Sequence, residues 1–299
     1  MFFKIINRRY IRTRVIQFVY SNSVLEDDLD RSILNFRNSI SSSLDLLYCS
    51  IDLINETKNH FLSIQTTKQS FKVILDNPYF NFLSDLKIPK KRGITINWKS
   101  NSNYIDDIKK RFIQDSAINN NIPDKESLEF FIYFFSEIIW NSEILYEFIQ
   151  DQNITWTDDI PIINSYIVSL IKDIDIKKER LFKVPDIKDF EQEITFGEKL
   201  IQQVFNNKDK LKSFLDGRIP NWDTERIAQI DLAILISAMA ELIYFPLIPV
   251  KVTINEYIEI SKEYSSPKSS IFINGVLDKL IKDLSQDGTI LKTGRGLIT

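Results

Sequence analysis

An all-α fold is what this sequence predicts, and three observations carry that reading. Apolar residues recur three and four positions apart along most of the 299-residue chain, the spacing of a helix face. Gly and Pro are scarce, at 7 and 9, which argues against a β-sandwich or a Gly-rich nucleotide fold. Alternation at period two is weak and confined to Ile94-Thr95-Ile96-Asn97-Trp98.

The elements follow in order. Arg8 to Tyr20 reads as a basic amphipathic helix, with Ile11, Val15 and Phe18 toward a core and Arg9, Thr13 and Tyr20 along another strip. Leu44, Leu47, Ile51 and Ile54 make a second stripe, and Cys49 joins Leu46, Leu47 and Leu53 as a small core hydrophobe. Between Ser127 and Phe148 the apolar density predicts a helix buried on most sides. The clearest helix runs from Thr224 to Phe245, with Asp223 as N-cap and Pro246 as its stop. Its inward face is Ile227, Ile230, Ile234, Leu235, Ala238 and Leu242.

Two further helices have specific punctuation. Thr253-Ile254-Asn255-Glu256 fits a capping box, with Ile254, Tyr257 and Ile258 inward. Ser266-Pro267 starts the next, since Pro is tolerated at the first helical position, and Phe272, Val276, Leu280 and Leu284 supply its buried face. Gly275 falls inside that helix, where Gly costs about 1 kcal/mol relative to Ala, so close approach of another backbone is expected there. Turn signals at Asn77-Pro78, Ile88-Pro89, Ile122-Pro123-Asp124, Pro161, Val184-Pro185-Asp186 and Asp216-Gly217 separate the helices.

Composition bounds the function. An apolar fraction of 43% supports a real core, and the 26% of charged residues is ordinary for a soluble protein. Cys49 is the only cysteine, so no intramolecular disulfide is possible. No stretch matches a signal peptide or a membrane span, and a cytoplasmic location is expected by default. His60 is the only histidine, which removes His-based zinc sites and His pairs. Phosphate-binding Gly loops and the Gly-x-Ser-x-Gly motif are missing too. Asp27-Asp28 and Asp158-Asp159 read as helix starts or solvated faces rather than general acids. No catalytic residue, metal ligand or cofactor is therefore expected.

The net charge of −3 leaves nucleic-acid contact to local patches. Met1 to Tyr20 carries Lys4, Arg8, Arg9, Arg12 and Arg14 and no acid. Lys87 to Lys99 carries Lys87, Lys90, Lys91, Arg92 and Lys99, again without an acid. Each run fits a solvated face or an RNA contact; Arg beside Tyr suits RNA because guanidinium forks bind phosphate and aromatic rings stack on bases. An offset of 66 residues also relates Asn141, Leu145, Phe148 and Trp156 to Asn207, Leu211, Phe214 and Trp222. Such a match fits either a diverged internal copy or a coincidence of common helical spacings.

One order of residues says more. The arginine-rich helix with Gln17 and Tyr20 precedes Trp222, Ile227, Ile230-Asp231, Ala238 and Glu241-Leu242. Then come Pro249, Val252, Ile254-Asn255-Glu256 and Ser261-Lys262, and finally Phe272, Asn274-Gly275-Val276-Leu277-Asp278. This pattern, over about a third of the chain, resembles the NusB family of transcription antitermination factors, in the long form of the Bacteroidetes. The resemblance implies a NusB-like helical bundle with a large inserted helical region. The expected division is residues 1–20 as first helix of the core, 21–190 as insert, 191–285 as C-terminal core and 286–299 as a flexible tail.

The resemblance also implies a role. NusB proteins bind boxA leader RNA with NusE, a small-subunit ribosomal protein, inside the RNA polymerase antitermination complex, and catalyse nothing. Carried to this chain, the RNA-contact candidates are Arg8, Arg9, Arg12 and Tyr20, Phe196 at a helix start facing them, and Lys268 and Ser269 before the last helix. Lys199, Gln203 and Glu241, with Ala240, mark the NusE-facing surface. Ile236 stands where relatives usually carry Arg, and Ala240 where many carry a large residue. Those departures open a rival reading, a helical protein-interaction scaffold that no longer reads RNA. A third reading, the RNA-positioning domain of a methyltransferase, fails on this chain, which has no Gly-rich loop and only Cys49.

Overall fold

A computed structural model describes residues 4–25, 28–63, 74–89, 93–118, 122–124, 126–173, 183–215 and 227–297. The elements are helices; among the described residues there is no strand, and 94–98 is irregular with Ile96 and Trp98 buried. Helices α1 (Arg8–Leu25), α2 (Leu29–Ser63), α3 (Pro78–Ser84), α4 (Ser102–Ile118), α5 (Leu128–Tyr133), α6 (Glu143–Gln152) and α7 (Trp156–Lys172) come first. Then follow α8 (Glu191–Asn206), α9 (Lys208–Ser213), α10 (Gln229–Tyr244), α11 (Val250–Tyr264) and α12 (Pro267–Gln286). The expected cap Asp223, Trp222, the Asp216-Gly217 turn, Asp27 and the basic residues Lys90, Lys91 and Arg92 lie outside the described residues. The chain divides into two compact units, residues 6–38 with 190–299 and residues 1–5 with 39–189.

The first unit is built around α10. Its residues are apolar almost all round, which suits a helix with no solvent face, and Ala233 through Leu242 are all buried. Helix α1 packs on α8, α10 and α11; α9 and α12 close on α10, and α11 pairs with α12. The helix begins at Gln229 rather than Thr224, and Phe245-Pro246 ends it. Ser266 caps α12 by accepting the Ser269 amide, with Pro267 at the first position, as the sequence predicts.

Two expectations fail here. Thr253 is not a cap: α11 already starts at Val250, and Thr253 is buried inside it. Gly275 marks no close approach, because it is exposed and a side-chain carbon there would meet nothing within 4 Å. The close approach is at Gly197 on α8, where an added Cβ would collide with the Phe36 ring and lie 2.8 Å from Ile11. Phe36 also meets Phe18 edge-on at 6.0 Å, so α1, α2 and α8 share one aromatic seam.

The second unit has a phenylalanine core. Phe80 meets Phe131 at 4.9 Å and Phe134 at 5.3 Å, both edge-on, and Phe112 meets Phe134 at 5.2 Å. The single helix expected from Ser127 to Phe148 is two pieces, because α5 continues as a π-helical stretch Phe134–Ile139 and breaks before α6. Pro161 lies inside α7 rather than between helices. Two buried tryptophans tie to α2: Trp156 donates to the Ser42 carbonyl at 2.8 Å and Trp98 to that of Cys49 at 2.9 Å. Asp159 sits in the first turn of α7, yet it is buried and accepts from Ser43 at 2.7 Å rather than facing water. Asn141 and Asn207 both occupy turns between helices, followed by buried Leu145 and Leu211.

Candidate functional site

The arginines of α1 divide by position. Asn7 opens the helix by accepting the Tyr10 amide at 2.9 Å. Ile11, Val15 and Ile16 are buried, and the 3.6-residue period carries Arg12 and Arg14 inward with them. Arg14 donates to the Tyr10 hydroxyl and to Gln17, both at 3.0 Å. Arg8 and Arg9 stay exposed.

Arg12, expected on the RNA face, is 3% exposed and closes on the Glu241 carboxylate with two hydrogen bonds of 2.8 Å. Thr253 donates to the same carboxylate at 2.8 Å and Tyr257 at 3.4 Å. Four donors fill the carboxylate's lone-pair sites, so a buried charge pair is fully satisfied. Burial disfavours the Arg12 charge, but the hydrogen bonds and charge of Glu241 outweigh it and raise its pKa. The Tyr257 hydroxyl is pushed well above its ordinary pKa by burial and then by Glu241. Glu241 and Ala240, expected on a partner surface, are therefore core residues, both 0% exposed.

Glu256, read from the sequence as half of a capping box, faces α1 instead. It receives two 3.1 Å hydrogen bonds from Arg9 and lies 3.7 Å from Arg12. The order Arg9, Glu256, Arg12, Glu241 alternates in sign, and each carboxylate is bridged by guanidinium. Arg8 makes a different contact: its guanidinium stacks 4.1 Å above the Phe196 ring, with Arg12 at 5.4 Å. Desolvation and then the neighbouring Arg12 lower the Arg8 pKa. Phe196 is the sixth residue of α8 rather than its start, and it packs edge-on against Phe245 at 5.3 Å.

These groups line a cleft of about 1060 Å³. Arg8, Arg9, Arg12 and Glu256 form its charged part; Leu247, Ile248, Pro249 and Val252 form an apolar part, and Gly294 and Arg295 complete the lining. Tyr20 is 41% exposed on the same helix, but at 1.5 Å per residue it stands about 18 Å along the axis from Arg8 and does not line the cleft. Lys268 is exposed and Ser269 half-buried in the first turn of α12, again away from it. Lys199 is exposed on α8; Gln203, one turn on, accepts from Asn207 at the helix end. Ile236 is buried and borders a small groove with Val19, Val204 and Leu232, rimmed by Lys208 and Lys212. The sequence reading missed Glu256 and Arg295. Nothing local pairs Arg9 with an acid 247 positions away.

Residues 164–282 match the family model described as the NusB family. The chain is 41% identical over 103 residues to the transcription antitermination protein NusB of Salinibacter ruber, covering 34% of this chain and 64% of that protein. The NusB of Chloroherpeton thalassium is 40% identical over 100 residues, 33% of this chain and 47% of its own length. With the NusB of Clostridium botulinum the identity is 39% over 107 residues, 36% of this chain and 73% of that protein. The chain thus spans between about half and three quarters of the relatives it matches, and no solved structure matches it. Phe196, Glu241 and Glu256 fall within the matched stretch and the arginines of α1 before it. An all-helical unit centred on α10, together with these relatives, places this chain in the NusB family.

Proposed function

We propose that this protein is a transcription antitermination factor that binds boxA-type leader RNA together with NusE and acts by binding alone. One observation carries the reading: Arg8 and Arg9 reach the surface at a cleft that joins cations to an apolar floor. A groove of that composition suits single-stranded RNA, because guanidinium groups track phosphates while bases and sugars rest on apolar or aromatic surface. The relatives are transcription antitermination proteins, which supports the antitermination part of the reading. Arg12 belongs to this proposal as the residue that seats α1, rather than as a contact. Tyr20, Lys268 and Ser269 would touch only RNA that extends beyond the cleft. Lys199 remains a candidate for the NusE-facing surface, and a cytoplasmic setting within the polymerase complex goes with the role. Among the described residues no helix is long and apolar enough to cross a membrane.

The test is a fluorescence-anisotropy titration of boxA leader RNA and a scrambled control, with and without NusE, at two salt concentrations. Selective binding that strengthens with NusE and weakens with salt is expected. Equal weak binding to both RNAs sinks the reading. A scaffold that binds NusE without reading RNA is the second reading, favoured by one observation: Arg9 and Arg12 are already closed on Glu256 and Glu241. It is distinguished by NusE binding that carries no RNA selectivity.

A further inference from the structure

The residues after α12, expected to form a flexible tail, are built into the first unit. Ile290 is buried and its amide donates to the Leu284 carbonyl at 2.8 Å. The Thr293 amide donates to the Pro246 carbonyl at 3.0 Å, and Lys292 Nζ to the Phe245 carbonyl at 3.1 Å. Gly294 has φ +53°, the left-handed region that favours glycine. Gly296 is buried so tightly that a Cβ would run into the Pro246 carbonyl oxygen. A one-turn 3₁₀ helix, Gly294–Leu297, closes the segment.

This docking has a chemical result. The turn that receives the segment, Phe245 to Pro249, also supplies Leu247, Ile248 and Pro249 to the apolar part of the arginine cleft, and Arg295 lines the same cleft as Arg8 and Arg9. Arg9 is held by Glu256, and Arg12 by Glu241. Arg295 is exposed and makes no ion pair among the described residues. Leu247 and Val252 are exposed large apolar residues within the same lining. A cation free to bind phosphate therefore stands next to apolar surface free to take a sugar or base.

We propose that the docked segment is part of the RNA-binding site and that Arg295 is one of its phosphate contacts. The inference rests on the RNA-binding reading above and extends it to a residue beyond the stretch that matches the family. Its test uses the full chain with boxA leader RNA and the scrambled control, across a salt series. Arg295→Ala is expected to weaken binding to both RNAs by about three- to tenfold and to lower the salt slope by about 1. Gly296→Ala, which displaces the segment without touching the charge, is expected to give the same loss while the helical circular-dichroism signal stays intact. Arg8→Ala is run beside them. If Arg8→Ala loses affinity while Arg295→Ala keeps both the affinity and the slope of the original chain, this inference is overturned and the RNA reading stands. If the unaltered chain does not distinguish boxA from the control and Arg8→Ala changes nothing, both fall.

Discussion

Arg12 and Glu241 meet through two 2.8 Å hydrogen bonds across 229 positions of sequence, buried from water on both sides. The pair joins α1 to α10, and through Thr253 and Tyr257 to α11. Breaking one half of such a pair leaves an uncompensated buried charge. Arg12→Ala is expected to cost about 3–5 kcal/mol, seen as a lower urea midpoint. Changing both partners to apolar residues, Arg12→Met with Glu241→Leu, should recover most of it. A single substitution that leaves the midpoint unmoved would contradict the role.

Glu256 competes with any anion for Arg9. Glu256→Gln removes a negative charge from the cleft and releases a guanidinium, at a structural cost below about 1 kcal/mol because the Arg9 pair is partly exposed. RNA affinity in the anisotropy assay should rise on the order of fivefold at low salt, with the gain shrinking at high salt. A fall in affinity would mean that Glu256 orders Arg9 for binding rather than blocking it.

The two helical glycines separate cleanly. Gly197→Ala forces a methyl into Phe36 and Ile11 and should destabilise by about 1–3 kcal/mol. Gly275→Ala meets open space on an exposed helix face and should stabilise by about 0.5–1 kcal/mol. Thermal melts of the two variants should move in opposite directions.

Lys292 gives a pH dependence. Burial lowers its pKa to about 8, against a partial rise from the charge of Glu241, while the unfolded chain keeps the ordinary lysine value of 10.5. Between those values the unfolded state holds more protons, so stability increases with pH, beginning near pH 8. Chemical-denaturation midpoints should rise from pH 7.5 to 9.5 in the original chain, and the rise should vanish in Lys292→Met. The buried tyrosines act in the opposite sense only above pH 10, since burial raises the Tyr166 pKa to about 12 and also raises that of Tyr257.

Periodicity made the helices legible, and the family pattern made the core legible, because both depend on residues close in sequence. Ser266-Pro267 was read correctly for that reason: cap and first turn are local chemistry. Thr253 and Glu256 also looked local, and four residues in a capping-box spacing hid two contacts made to other helices. Gly275 and Gly197 show the same limit, since the space beside a glycine belongs to its neighbours in the fold. The arginines of α1 were visible as a group, but only the packing of that helix separates Arg12, buried on Glu241, from Arg8, stacked on Phe196.

The tryptophans tied to α2 carry a practical consequence. Trp98, Trp140 and Trp156 all fall within residues 39–189, so three of the chain's 4 indoles report on that unit, and only Trp222 falls outside that range. Replacing Trp222 by Phe would turn ultraviolet emission into a private signal of residues 39–189. Melts followed by that emission and by helix circular dichroism would then reveal whether this unit unfolds as its own cooperative block or together with the rest of the chain.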